Sequence, residues 1–288
     1  MIETENDYII EGTELVKRFK DTRAVDGISL KVCRGEIYGF LGPNGAGKTT
    51  TVRMLTTMDP PTSGTILIDG RDARTEYLVT RRQIGVIQQQ NSLEKDISVR
   101  ENIMHHALMQ GLSVAESKKR MMELCEVMEL TDRLDMLVEK LSGGWKRRVS
   151  IVCSMIHKPA ILFLDEPTTG LDTQSRNLLW KMIRELNREG TTIFLTTHYI
   201  FEAESLCNRV GIINKGRMVA EGTPWELKMR LGPIKLEVER GDGEHDVMYY
   251  PDRAFAKKAA ESVPPESNYS IRATNLEDVF LELTGRSI

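Results

Sequence analysis

The eight residues Gly42-Pro43-Asn44-Gly45-Ala46-Gly47-Lys48-Thr49 restrict the fold more than any other stretch of the chain. They fit the spacing Gly-x-x-x-x-Gly-Lys-Thr, follow the apolar run "EIYGFLG" (36–42) and precede a helical pattern at 50–58. A loop of this kind works only between a strand and a helix. Its glycines let backbone amides close on β- and γ-phosphate oxygens, Lys48 supplies a positive charge, and Thr49 offers a hydroxyl to Mg²⁺. The segment therefore predicts a phosphate cradle for a nucleoside triphosphate.

The surrounding pattern agrees with that context. From Tyr8 to about Lys228, short apolar runs alternate with longer helical stretches, the signature of an α/β fold. Strands are expected at 36–42, 65–70, 83–88, 160–166, 191–197 and 209–216, and helices at 50–58, 99–110, 114–130, 142–157, 174–189 and 200–206. The stretch 89–158 is almost wholly helical in pattern and reads as a helical subdomain beside the main sheet. Beyond Leu231-Gly232-Pro233 the texture changes to short strands and two helices, so residues 1–230 are expected to form the main domain and 231–288 a small α+β appendage. Thr274 and Glu277 are spaced for a capping box before "LEDVFLEL".

The run "ILFLDEP" (161–167) adds chemistry to the cradle. A buried strand of four apolar residues ends in Asp165, suited to hold Mg²⁺ through water, and Glu166, suited to orient or deprotonate an attacking water. His198, at the end of "TIFLTT", is placed to reach a γ-phosphate. The formal net charge of -3 gives no sign of the basic face that nucleic-acid binding requires. No apolar run approaches the roughly 18 residues of a membrane-spanning helix, and the acidic start "MIETENDYII" lacks the pattern of a secretory signal. Cys33, Cys125, Cys153 and Cys207 are scattered and read as reduced structural thiols, and the neighbours His105 and His106 lack the spacing of a metal pair.

A second device lies far from the first. "LSGGWKRRV" (141–149) puts Ser142, Gly143 and Gly144 at the start of a basic helix, again suited to phosphate. With the loop at 42–49, a glutamine near 89, the strand ending Asp165-Glu166, "GLD" at 170–172 and His198, the chain resembles an ABC ATPase over roughly residues 8–230. That resemblance implies an α/β cassette with a helical subdomain, ATP and Mg²⁺ as ligands, and head-to-tail pairing with a second cassette. The phosphate loop (P-loop) at 42–49 of one copy and the signature Leu141-Ser142-Gly143-Gly144 of the other would then hold one ATP. The nucleotide-binding residues it implies are Phe19, Gly42, Pro43, Asn44, Gly45, Ala46, Gly47, Lys48, Thr49, Thr50, Ser142, Gly143, Gly144 and Asp172. It makes Glu166, His198 and Gln89 catalytic, and Thr49, Gln89 and Asp165 the magnesium ligands.

Two positions depart from the family pattern: Trp145 stands where a polar residue is usual, and Gln88 replaces a common proline. The stretch around the P-loop and "NLEDVFLELTGR" look like the ATPase subunits of ABC-2 type exporters, which implies separate integral membrane subunits and a place at the cytoplasmic face of the membrane. A soluble ABC ATPase acting on ribosomes or DNA is the competing class. Such proteins usually carry two cassettes in one chain or a long coiled coil, and neither is visible here.

Overall fold

A computed structural model describes residues 7–88, 93–239, 245–264 and 267–285. Two long strands, β1 (Tyr8–Phe19) and β2 (Thr22–Cys33), form an antiparallel hairpin. The fully buried β3 (Ile37–Leu41) then runs through the phosphate loop into α1 (Lys48–Leu55). The chain returns to the hairpin with β4 (Ser63–Ile68) and the short β5 (Arg71–Asp72), giving a sheet ordered β2-β1-β4-β5. After α2 (Tyr77–Arg82), β6 (Ile84–Ile87) enters the main sheet.

Between β6 and the next strand the described residues form α3 (Val99–Met109), α4 (Val114–Val127), two single 3-10 turns and α5 (Gly143–Met155). Ser98 with Glu101 and Ser113 with Glu116 close full capping boxes, which fixes where α3 and α4 begin. The main sheet is completed by β7 (Ile161–Asp165), β8 (Thr192–Thr197), β9 (Arg209–Asn214) and β10 (Arg217–Gly222), with α6 (Thr173–Arg188) and α7 (Ile200–Leu206) between them. Its order is β10-β9-β3-β8-β7-β6, and every pairing but that of β10 with β9 is parallel.

Both faces of this sheet are covered, which explains the unbroken apolar runs in its strands. Along β7, Phe163 points to a core shared with the antiparallel sheet, while Leu162 and Leu164 point to the core shared with the helices. Phe194 sits among Tyr38, Phe40 and Phe163 with ring centroids 5.3–5.7 Å away. Those aromatic contacts add side-chain packing to the hydrogen-bonded pairing of β3, β8 and β7.

The C-terminal region begins with α8 (Pro224–Leu231) and continues as β11 (Ile234–Glu239), β12 (His245–Tyr250), α9 (Arg253–Ala260), β13 (Tyr269–Ala273) and α10 (Leu276–Thr284). Its strands are ordered β12-β11-β13. The cap of α10 differs from the sequence expectation: Asn275 and Asp278, not Thr274 and Glu277, form the capping box. The Thr274 hydroxyl donates to the Gly232 carbonyl instead. This frame turns Leu276, Val279 and Phe280 into the core formed between the main sheet and its helices. It also brings Asp278 against Lys235 Nζ at 3.1 Å and Arg272 Nη2 at 2.6 Å.

Burial pushes the Asp278 carboxyl up, but hydrogen bonds from Arg272, the Asn275 N–H and Lys235 outweigh it and hold the pKa below the ordinary value of 3.8. A depressed folded value means that the stabilisation is present above 3.8 and lost as pH falls through the lower folded value. Acid denaturation of Asp278→Asn is therefore expected to lose part of its pH dependence in that window. Phe280→Ala should cost about 3–5 kcal/mol in denaturant unfolding, because it empties a fully buried site.

Candidate nucleotide site

Parallel pairing gathers the site at one edge of the main sheet. Leu41 lies opposite Thr197, and Asp165 opposite Thr196, so the segments leaving β3, β7 and β8 emerge side by side. Between β3 and α1 the loop turns tightly. Gly47 has φ of 106°, and a Cβ there would lie 2.5 Å from the Ala24 carbonyl oxygen; a Cβ on Gly42 would lie 2.4 Å from that of Ile213. Only glycine fits at either position.

Lys48 is almost fully buried, and its ammonium donates to the carbonyls of Gly42 at 2.8 Å and Pro43 at 3.1 Å. It also lies 3.2 Å from Glu166 Oε1. His198 Nδ1 approaches the other carboxylate oxygen at 3.2 Å, and the Thr169 hydroxyl donates to it at 3.2 Å. Burial pushes the Glu166 carboxyl up, but the charge and hydrogen bond of Lys48, aided by His198, outweigh it and hold the pKa below the ordinary value of 4.5. Glu166 is therefore ionised near neutral pH, the state a base requires.

Asp165 is held from two sides. Its Oδ1 accepts from the Thr196 hydroxyl at 2.6 Å and from the Thr49 hydroxyl at 3.3 Å. The Thr196 hydroxyl in turn accepts from the Glu166 N–H at 3.0 Å. Neither Thr196 nor Thr169 stood out in the sequence. Their only signal was position, one directly after the apolar run 193–195 of β8 and the other three residues after Glu166.

These groups open on a cleft of about 540 Å³ lined by Ala24, Asn44, Gly45, Gly47, Lys48, Thr49, Thr50, Glu166, Thr169 and His198. Pro43 and Ala46 line a neighbouring hollow with His198 and Tyr199. Phe19 sits half exposed at the end of β1 and does not line the cleft. Gln89 lies outside the described residues. Among the described residues no group of three or more His, Cys, Asp or Glu side chains is placed to hold a metal ion. Mg²⁺ needs no such cage, because it is commonly held by one or two carboxylates, substrate phosphates and water. The adjacent oxygens of Thr49 and Asp165 at the loop fit that mode.

Ser142, Gly143 and Gly144 are elsewhere on the surface. Ser142 is the extended N-cap residue of α5, is exposed, and makes no side-chain cap to its own helix. Ser142 and Gly144 line a separate pocket of about 130 Å³. The guanidinium groups of Arg133 and Arg148 lie over the Trp145 ring, 3.8 and 4.1 Å from its centre. Those cation–π contacts account for an indole at a position usually polar. Asp172 caps α6, accepting from the N–H and hydroxyl of Ser175, and the Ser175 hydroxyl lies where a side chain on Gly144 would be crowded.

The ABC transporter family model matches residues 25–169, from β2 through the phosphate loop and signature to the turn after Glu166. The chain belongs to the ABC transporter family of ATP-binding proteins. It is 44% identical to the daunorubicin/doxorubicin resistance ATP-binding protein DrrA of Streptomyces peucetius, over 96% of this chain and 92% of that protein. It is 39% identical to the Nod factor export ATP-binding protein I of Paraburkholderia xenovorans, over 97% and 98%. Among solved structures, the dimeric post-hydrolysis ATP-binding cassette MJ0796, bound to ADP and Pi, matches with a TM-score of 0.68 and 26% identity, over 74% of this chain and 98% of that one. The α/β architecture described above is thus that of an ABC ATPase cassette, with an α+β region following it.

In this ABC transporter ATPase, Thr196→Val would remove the short hydroxyl bond to the buried Asp165 carboxylate and one of the two acceptors of the Glu166 N–H, leaving the Thr49 hydroxyl and the Thr196 carbonyl in place. Denaturant unfolding should show a loss of about 1–3 kcal/mol.

Proposed function

We propose that the chain is the ATP-hydrolysing subunit of an exporter, acting in a pair of cassettes on separate integral membrane subunits at the cytoplasmic face of the membrane. The observation that carries this reading is that the two phosphate-suited segments of one chain lie at separate places on its surface. The P-loop cleft collects Lys48, Thr49, Glu166 and His198, while Ser142 and Gly144 line a different pocket. Pairing of two copies head to tail would bring the signature of one over the cleft of the other. The dimeric state of the MJ0796 cassette supports that arrangement, and the names of the drug-resistance and Nod factor relatives support export.

In this reading the amides of the loop from Gly42 to Thr50 and the Lys48 ammonium bind the β- and γ-phosphates, and Phe19 stacks on the adenine. Ser142 and the Gly143 and Gly144 amides grip the γ-phosphate from the opposite copy, with Asp172 beside them at the junction. Thr49, Asp165 and Gln89 would hold Mg²⁺, which supplies charge neutralisation on the phosphate oxygens. Glu166 takes the proton of the attacking water, and His198 orients Glu166 and contacts the γ-phosphate. ATP joins the two cassettes, hydrolysis weakens the joint, and the membrane subunits are moved by that cycle. No helix among the described residues is long and apolar enough to cross a membrane.

Two substitutions test the assignment. Lys48→Ala should abolish binding of a fluorescent ATP analogue. Glu166→Gln should keep that binding while steady-state phosphate release falls by about 10²–10⁴-fold; wild-type turnover by this variant would refute the role of Glu166. Glu166→Gln loaded with Mg-ATP and purified from gently solubilised membranes should bring down a polytopic partner in stoichiometric amount. Recovery with ribosomes or nucleic acid instead would overturn the exporter reading.

A further inference from the structure

Arg147 lies inside α5, five residues after Ser142, and its side chain is buried. Its hydrogen bonds go to backbone carbonyls: Nη1 donates to Gln88 O at 2.6 Å and Nη2 to Asp165 O at 3.4 Å. Nε has no partner. Burial pulls the guanidinium down to about 10, against the opposing charges of Asp165 and Glu202. A buried cation satisfied only by carbonyls is a costly way to fill space, since an apolar side chain of similar volume avoids the desolvation penalty.

The two carbonyls are not arbitrary. Gln88 O is the last described acceptor before Gln89, at the end of β6. Asp165 O belongs to the peptide that joins Asp165 to Glu166. The N–H end of that same peptide is held by the Thr196 hydroxyl at 3.0 Å and the Thr196 carbonyl at 3.1 Å. Glu166 has φ of 47°, a left-handed conformation that a non-glycine residue adopts only when its surroundings over-determine it. Arg147 and Thr196 thus grip one strained peptide from opposite ends. The orientation of that peptide sets the directions in which the Asp165 and Glu166 carboxylates point.

We propose that Arg147 is a positioning residue that ties the signature helix to the Asp165–Glu166 peptide and to Gln88 at the end of β6. The signature end and the magnesium end of one chain then move as a unit. This rests on the nucleotide reading above, and it assigns the residue a role in metal-dependent binding that a space-filling cation would not have. A structural cation, if lost, would weaken nucleotide binding equally with and without metal. A positioning residue would alter the metal response alone.

The test is a fluorescent ATP-analogue titration of Arg147→Met and Arg147→Lys, in EDTA and across a Mg²⁺ series, with thermal unfolding measured alongside. In EDTA the affinity should equal that of the wild type. The Mg²⁺ concentration giving half of the metal-dependent gain should rise about 10-fold or more for Arg147→Met, as for other groups that orient metal ligands. Arg147→Lys keeps the charge but cannot span both carbonyls, so it should show a smaller shift in the same direction, and it carries the test alone if Arg147→Met does not fold. A folded variant with the wild-type Mg²⁺ midpoint, or with equal loss in EDTA and Mg²⁺, would overturn the proposal. Absence of nucleotide binding by the wild-type protein would instead overturn the underlying nucleotide reading, and this inference with it.

Discussion

The pairing register of three parallel strands is the constraint on which the rest depends. With Leu41 opposite Thr197 and Asp165 opposite Thr196, the loop after β3, the acidic pair after β7 and the histidine after β8 must emerge together. A one-residue slip in any strand would reverse which face each side chain meets. It would expose Phe163 or Phe194 to the wrong core and turn the Thr196 hydroxyl away from Asp165. The aromatic cluster around Phe194 and the polar contact of Thr196, two residues further along β8, therefore enforce the same register.

On that frame, the two neighbouring carboxylates sit in different surroundings. Asp165 is buried and hydrogen-bonded to two threonine hydroxyls, which leaves it fixed near Thr49. Glu166 sits at a left-handed turn with Lys48 and His198 on its two oxygens, so its charge persists despite partial burial. Adjacent residues of one chain point differently because the peptide between them is held at its N–H end by Thr196 and at its carbonyl end by Arg147.

Much of this was legible in the sequence, for identifiable reasons. Strands buried on both faces, such as β7 and β8, write continuous apolar runs, and the phosphate loop writes its own spacing. The hairpin of β1 and β2 was not marked as strands, because much of it is solvent-facing and its apolar residues are interspersed with charges. Helix α8 was missed since only Leu227 along it is buried, although Thr223-Pro224 with Glu226 carried a capping signal. The cap of α10 shifted by one residue because tertiary contacts of Asp278 and Phe280, invisible to local spacing, chose the frame. Within the site the charged and glycine residues were legible, whereas Thr196 and Arg147 act through partners distant in the chain.

In the proposed pairing, the phosphate loop of one copy and the signature of another share one nucleotide. Equimolar Lys48→Ala and Ser142→Arg chains, both carrying Glu166→Gln to prevent turnover, test it by sedimentation with Mg-ATP. Each variant alone lacks one half of every shared site and should stay monomeric. The mixture restores one complete site per pair and should form an ATP-dependent heterodimer. ATP-dependent dimerisation by Ser142→Arg alone, or a mixture that stays monomeric under conditions where the Glu166→Gln parent pairs, would contradict the account.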